Sequence, residues 1–266
     1  MNSVEFKDIS VSYGPDLILD GLSFAVETGS WVSVIGPNGA GKSTMLRALV
    51  GLVPFKGSIT IEGRSIDQMS GRELARSLGY VAQTPQHPAG MSIFDYVMLG
   101  RTPHRSYLGT SSRQDLTIVR EVLSLLSLER LASRPVASVS GGEAQRAAIA
   151  RAVAQRASVL LLDEPTSSLD IARQQEVMNL IDGLRQAEGL TVVTTMHDLT
   201  LAGQYADRLL LLSESRIQAD GSPRKVLTTA AIERHYGAQV KVVEDADGTI
   251  TVVPLRSPRR SPSVTA

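Results

Sequence analysis

The chain contains no cysteine among its 266 residues, which excludes disulfides and thiolate metal centres and fits a reducing compartment. Neither sign of charge is in excess. The 27 Lys plus Arg balance the 27 Asp plus Glu, so the basic surplus of a nucleic-acid binder is missing and no nucleic acid is expected as a partner. No apolar run reaches the roughly 18 residues needed to span a bilayer. Residues 1–6 lack the basic and apolar regions of a signal peptide. The expectation is a soluble chain whose membrane role, if it has one, comes through a partner. Hydrophobic residues, at 42%, suffice for the core of one large domain or two small ones.

What is present is concentrated first in Gly36, Pro37, Asn38, Gly39, Ala40, Gly41, Lys42, Ser43 and Thr44, directly after the apolar run Trp31, Val32, Ser33, Val34 and Ile35. Glycine, four residues, glycine, lysine and serine between a strand and a helix is the phosphate-loop pattern. The glycines let backbone amides approach a polyphosphate that side chains would block, and the helix starting near Lys42 adds its positive end. Lys42 has the reach for the β and γ phosphates of a nucleoside triphosphate. The Ser43 hydroxyl can ligate Mg²⁺, and Thr44 adds a second hydroxyl. A plain glycine turn would not need lysine and serine at these two offsets.

Along the chain, short strands are predicted at residues 4–11, 22–26, 58–61 and 78–81. Tyr13 stands after the first of them and reads either as ordinary packing or as an aromatic for stacking on adenine. Ser70 and Glu73 form a capping box that opens a short helix. Between Gln83 and Pro135 the texture turns helical, with Leu116, Val119, Leu123 and Leu126 at helical spacing. This is read as a helical subdomain inserted at about residues 87–156, its apolar stripe being core or a partner groove.

Ser140, Gly141, Gly142 and Glu143 open the next helix. Serine and glutamate form a second capping box, but two first-turn glycines cost roughly 1 kcal/mol each relative to alanine. Bare amides beside a hydroxyl at a helix N-terminus suit a phosphate better than a cap alone. The apolar run at residues 158–162 predicts a strand buried on both faces, ending in Asp163 and Glu164. If it neighbours the phosphate-loop strand, both acids meet the nucleotide. Asp163 would then serve the Mg²⁺ shell and Glu164 would deprotonate the attacking water. A further strand at residues 191–195 puts His197 at its carboxyl end, in reach of a γ-phosphate. Hairpins are expected at residues 209–220 and 239–253, and a disordered tail at 255–266, whose Arg256, Arg259 and Arg260 could touch acidic lipid.

Taken in order, these stretches resemble the ATP-binding subunit of an ATP-binding-cassette transporter, over residues 4–235. The phosphate loop, Gln83 as the Q-loop, Ser140 to Glu143 as the signature, residues 159–164 as the second Walker motif, residues 167–170 as the D-loop and His197 as the switch histidine all match. Val139, Glu143 and Ser168 depart from the commonest leucine, glutamine and alanine. The resemblance implies an α/β fold: a phosphate-loop nucleotide-binding core, an antiparallel β subdomain and the inserted helical subdomain, together spanning residues 1–238, with a C-terminal hairpin at 239–254. It implies ATP and Mg²⁺ as cofactors, Glu164, His197 and Gln83 as catalytic residues, Ser43, Gln83 and Asp163 as the metal set, and Tyr13 as the adenine-stacking aromatic. Two copies would pair head to tail, the signature of each facing the ATP held by Lys42 of the other.

The segment from Val97 to His104, containing Gly100, Arg101, Pro103 and His104, looks like one found in importers of iron-siderophores, haem and cobalamin. The implied setting is the cytoplasmic face of the inner membrane, with an integral-membrane permease and, indirectly, an extracytoplasmic substrate-binding protein. The surface of residues 88–104 is expected to receive a permease helix, Arg101 or His104 fixing that contact or the loop beneath; alternatively both are solvated. A DNA-associated cassette ATPase would insert a heptad-rich coiled coil between phosphate loop and signature, and none is seen. A non-hydrolysing ATP sensor would not need Glu164, Gln83 and His197.

Overall fold

A computed structural model describes residues 2–105, 111–167 and 169–256. Strands β1 (Asn2–Tyr13) and β2 (Asp16–Glu27) are antiparallel and outrun the predicted residues 4–11 and 22–26, because polar residues carry the pairing out to Tyr13 with Asp16. Next come β3 (Trp31–Ile35), α1 (Lys42–Leu49), β4 (Lys56–Ile61) and the two-residue β5 (Arg64–Ser65). The expected capping box of Ser70 and Glu73 starts α2 (Gly71–Ser77), and β6 (Leu78–Val81) follows.

The helical stretch holds α3 (Ile93–Met98), a 3-10 turn (Leu99–His104), α4 (Arg113–Leu125) and α5 (Gly141–Ala154). Ser92, Ser112 and Ser140 cap the three helices, each side chain accepting the amide three residues on. Val119, Val122, Leu123 and Leu126 are buried, so the apolar stripe is core. The chain then alternates through β7 (Val159–Asp163), α6 (Ile171–Glu188), β8 (Thr191–Met196), α7 (Leu199–Tyr205), β9 (Arg208–Ser213) and β10 (Arg216–Gly221). It closes with α8 (Pro223–Val226), α9 (Thr229–Tyr236) and a hairpin of β11 (Val240–Glu244) and β12 (Ile250–Pro254), joined to α7 by a Val252 amide donating to Thr200 Oγ1 at 3.0 Å.

Two sheets organise these elements: an antiparallel one, β2-β1-β4-β5, and a six-stranded one, β10-β9-β3-β8-β7-β6, parallel except at β10. This order corrects one expectation, since β3 and β7 are not neighbours. Strand β8 is buried at all six positions, its three threonines included, as a strand covered on both faces in the middle of such a sheet is. Its Thr194 is satisfied there by Trp31 Nε1 at 3.1 Å and Ser33 Oγ at 2.5 Å.

Side-chain alternation then assigns the two faces of the six-stranded sheet. Val32, Val34, Leu161 and Leu210 pack with α1 against the antiparallel sheet, whereas Trp31, Ile35, Leu160, Leu162 and Leu211 pack against α3 to α6. Both faces are covered, so the strands' carboxyl ends are what the fold leaves open for a ligand. Ser168, Arg259 and Arg260 lie outside the described residues; Arg256 is exposed.

Candidate functional site

The loop between β3 and α1 is held from both sides. Gly36 has φ 156°, and a Cβ on it would fall 2.0 Å from the Leu212 carbonyl oxygen of β9. Gly41 has φ 98°, with Leu19 Cδ2 of β2 at 2.7 Å from the same hypothetical atom. Neither position can take a side chain. Gly41 is also the N-cap of α1, with no side-chain cap bond, so the first amides of that helix remain available to an anion. Lys42 is 5% exposed and donates from Nζ to the carbonyls of Gly36 at 2.8 Å and Pro37 at 3.1 Å. Burial pushes its pKa below the ordinary lysine value, partly offset by the charges of Glu164 and Asp163.

The two acids at the end of β7 reach this loop across the intervening β8. Ser43 Oγ donates to Asp163 Oδ1 at 2.9 Å, and Thr195 Oγ1, from the end of β8, donates to the same oxygen at 2.6 Å. Asp163 Oδ2 is buried and has no partner among the described residues. A buried, unsatisfied carboxylate oxygen beside a serine hydroxyl is a donor set that suits a hard divalent cation. Among the described residues no group of three or more His, Asp or Glu could hold a metal by itself, so such an ion would draw its remaining ligands from phosphate and water.

Glu164 adopts φ 50°, a left-handed conformation uncommon for a residue with a side chain. Its amide donates to Thr195 Oγ1 at 3.0 Å and to the Thr195 carbonyl at 3.1 Å, which fixes the turn. Both carboxylate oxygens are engaged: Gln83 Nε2 donates to Oε2 at 2.5 Å, and His197 Nε2 meets Oε1. Three residues from three separate strand ends thus converge on one point. With Tyr13, Ile18 and residues 38–44 they line an open cavity of about 420 Å³. Tyr13 is 44% exposed at the cavity rim, which removes the reading of it as core packing.

Two residues of the site escaped the sequence reading: Ile18, which lines the cavity, and Thr195, buried beneath it. Ile18 lies inside a β2 that extends further than predicted. Thr195 was visible as a hydroxyl at the carboxyl end of a buried strand, the signal that singled out Asp163.

Ser140, Gly141, Gly142 and Glu143 do not line this cavity. They sit at the start of α5, where Gly141 shares a second cleft with Gln83 and His87. The capping box is formed: Glu143 Oε2 accepts from Ser140 N at 2.8 Å and Ser140 Oγ at 2.7 Å, and these bonds to Ser140 hold the Glu143 carboxyl below its usual pKa. The cap and an exposed glycine amide therefore coexist.

Of the expected docking surface at residues 88–104, Leu99, Gly100, Thr102 and Pro103 line a groove, and Arg101 and His104 fix the loop beneath it. Arg101 is 5% exposed; it donates from Nε to Asp115 Oδ1 at 2.9 Å and from Nη1 to the Ala154 carbonyl at 2.8 Å. His104 Nε2 donates to the Gln155 carbonyl at 2.7 Å. Both fasten the 3-10 turn to α4 and α5, because a buried guanidinium needs a carboxylate and a carbonyl that solvent cannot replace. Arg101 is therefore buried and not solvated, whereas His104 keeps an exposed side chain while its ring holds the Gln155 carbonyl. The open groove nearby, about 630 Å³, runs between Leu52, Leu74 and Tyr80 on one side and Leu99, Pro103 and Arg151 on the other; Pro88 is not part of it.

A family model described as ABC transporter matches residues 19–167. The chain is 37% identical over 246 residues to a probable siderophore transport system ATP-binding protein of Bacillus subtilis, covering 92% of this chain and 90% of that one. It is 35% identical over 251 residues to the ferric enterobactin transport ATP-binding protein of Escherichia coli, covering 94% and 93%. An inward-facing structure of a metal-chelate type transporter superposes with a TM-score of 0.84 at 29% identity, covering 96% of this chain and 98% of that one.

Proposed function

The chain belongs to the ABC transporter family, and from that membership we propose that it powers import of a metal chelate, an iron-siderophore, haem or cobalamin. The ATPase activity, the pairing of two cassettes and the work with membrane permease subunits go with the family. The cargo reading draws on the names its relatives carry and on the Gly100 to His104 segment.

One observation carries the chemistry: a single carboxylate, Glu164, gripped by Gln83 and His197 at the mouth of a phosphate loop. Amides of the loop and the start of α1 donate to the phosphate oxygens of ATP, Lys42 places its charge among them, and Tyr13 at the rim stacks on the base. Glu164 takes a proton from the water that attacks the γ-phosphorus, while the bond to the bridging β–γ oxygen breaks and ADP and phosphate leave. Gln83 and His197 hold that carboxylate in register. Mg²⁺, held by Ser43 with Asp163 and Gln83 acting through its water shell, would neutralise charge on the phosphate oxygens when bound.

A second copy pairs head to tail, bringing Ser140, Gly141 and Gly142 to the ATP of its partner. The cassette comprises residues 1–238, with the helical subdomain at about 87–156 and the hairpin at 239–254 appended to α7. No helix among the described residues is long and apolar enough to cross a membrane, so attachment to the cytoplasmic face runs through the permease. Its seat is the groove whose rim carries Leu52 and Leu99, 65% and 43% exposed, two large apolar side chains suited to a helix from a permease. An extracytoplasmic binding protein delivers the cargo to that permease.

Uptake of labelled ferric siderophore, haem and cobalamin, compared in cells with and without the gene for this chain, tests the cargo. Loss of one of these uptakes, restored by the intact chain and not by Glu164→Gln, is the expected result. Undisturbed uptake of all three overturns the cargo reading and leaves the ATPase reading standing.

A further inference from the structure

The loop that carries Gln83 continues to His87, whose ring meets Tyr96 of α3 edge-on, with centroids 5.8 Å apart and planes at 63°. Against the same tyrosine ring stands Arg151 of α5, its guanidinium carbon 4.8 Å from the centroid. Tyr96 is fully buried, and both its hydroxyl and His87 Nε2 are buried without a hydrogen-bond partner among the described residues. An unpaired buried polar atom costs about 1–3 kcal/mol, so a contact meant only to fill space would be better made with Phe and Leu. Two such atoms at one joint mark an arrangement that another position of the loop can relieve.

The far side of the joint is rigid. A Cβ on Gly100 would fall 2.1 Å from the Arg151 carbonyl oxygen, and the bonds of Arg101 to Ala154 and His104 to Gln155 clamp the last turn of α5 and its C-cap to the same segment. Residues 99–104 therefore move with α5, and Arg151 itself lines the groove. His87 is where the Gln83 loop leans on this block.

We propose that His87 is a positioning residue, passing displacement of the Gln83 loop through Tyr96 and Arg151 to the groove wall at residues 99–104. The proposal rests on the reading of the pocket as an ATP site, since ATP supplies the displacement. A neutral imidazole suits the role: burial and then the charge of Arg151 push the His87 pKa down, so the ring packs on Tyr96 without repelling the guanidinium.

Hydrogen–deuterium exchange on the full chain carrying Glu164→Gln, with and without MgATP, tests this. In that parent, MgATP should slow exchange in the phosphate loop and change it by about twofold or more at residues 99–104. Adding His87→Ala or Tyr96→Leu should keep ATP affinity and phosphate-loop protection while abolishing the change at the groove. Tyr96→Phe, which keeps the ring under Arg151, should retain that change. A groove response that persists in His87→Ala, or one that is absent in the parent although the phosphate loop is protected, overturns the proposal. Absence of phosphate-loop protection in the parent would overturn the ATP reading of the pocket along with it. His87→Ala alters a half-buried side chain, so the test stands even if Tyr96→Leu does not fold.

Discussion

Ser43, on the helix that follows β3, and Asp163, at the end of β7, stand 120 positions apart and are joined by a hydrogen bond of 2.9 Å, although β8 lies between β3 and β7. That bond passes over the end of β8, where Thr195 donates to the same Asp163 oxygen at 2.6 Å. The start of α1, the end of β7 and the end of β8 are thereby tied at one atom. Asp163 Oδ2 is the acceptor left over.

Replacing Glu164 with Gln removes the proton acceptor and keeps the shape. Hydrolysis should fall about 10²- to 10⁴-fold, with ATP binding preserved and the ATP-bound dimer accumulating. Phosphate release and sizing chromatography with ATP measure the two effects. Near-normal turnover would show that the base lies elsewhere.

Thr195→Val keeps the strand but leaves Asp163 Oδ1 short of a donor and the Glu164 amide short of an acceptor. Two partners of one buried hydroxyl are affected, and a loss of about 1–3 kcal/mol in a urea titration is expected. Turnover should drop further than ATP affinity does, because Glu164 loses part of the turn that places it. An unchanged urea midpoint would rule Thr195 out as a support.

Arg101→Glu should destabilise the chain by about 3–5 kcal/mol, since it breaks a buried ion pair and leaves Asp115 facing a like charge. It is therefore a probe of folding and a poor probe of docking. Leu99→Glu, on the exposed rim of the groove, is the docking probe. Its melting temperature and basal ATPase should match the parent, while permease-stimulated ATPase is lost. Stimulation that survives Leu99→Glu would move the seat of the permease helix away from this groove.

Acid should loosen the helical part of the fold through Asp115. Burial works to raise the pKa of this carboxyl, but the bonds from Arg101 and Ser112 outweigh it, and the folded value lies below the ordinary one. A depressed folded pKa contributes stability that is fully present above the unfolded value, about 4, and disappears as pH falls through the folded value. The stability gap between the parent and Asp115→Asn, read from urea titrations, should be flat from neutral pH to about 5 and shrink below about 4. A gap that does not change with pH would mean that the charge on Asp115 contributes nothing.

The phosphate loop, both acids and His197 were legible because each is a polar interruption at the end of an apolar strand, a pattern local enough to read from neighbours in sequence. Gln83 entered the site only through family resemblance, and its bond to Glu164 was not read at all, because no local pattern shows that an exposed glutamine will meet an acid 81 positions on. Strand order was not legible. The short β-branched and apolar runs of β3, β7 and β8 are alike and all three are fully buried, and only their joint packing puts β8 between the others. For Arg101 the sequence left open whether it fixes a partner contact, fixes the loop beneath or is solvated, because its carboxylate, Asp115, lies on a helix across a loop and is brought beside it only by the fold. The extra length of β1 and β2 came from polar side chains that alternate less cleanly than the core of each strand.

The backbone of Glu164, bent to φ 50°, sets the chain's stability against its turnover. Glycine or asparagine tolerates that conformation with less strain, on the order of 1 kcal/mol. A laboratory selection that rewarded heat resistance alone would thus favour discarding the acid, and its fittest survivors would hold ATP without spending it. Thermostabilised versions of this chain need to be screened for hydrolysis at every round, because the substitution that best relaxes the turn is also the one that silences the site.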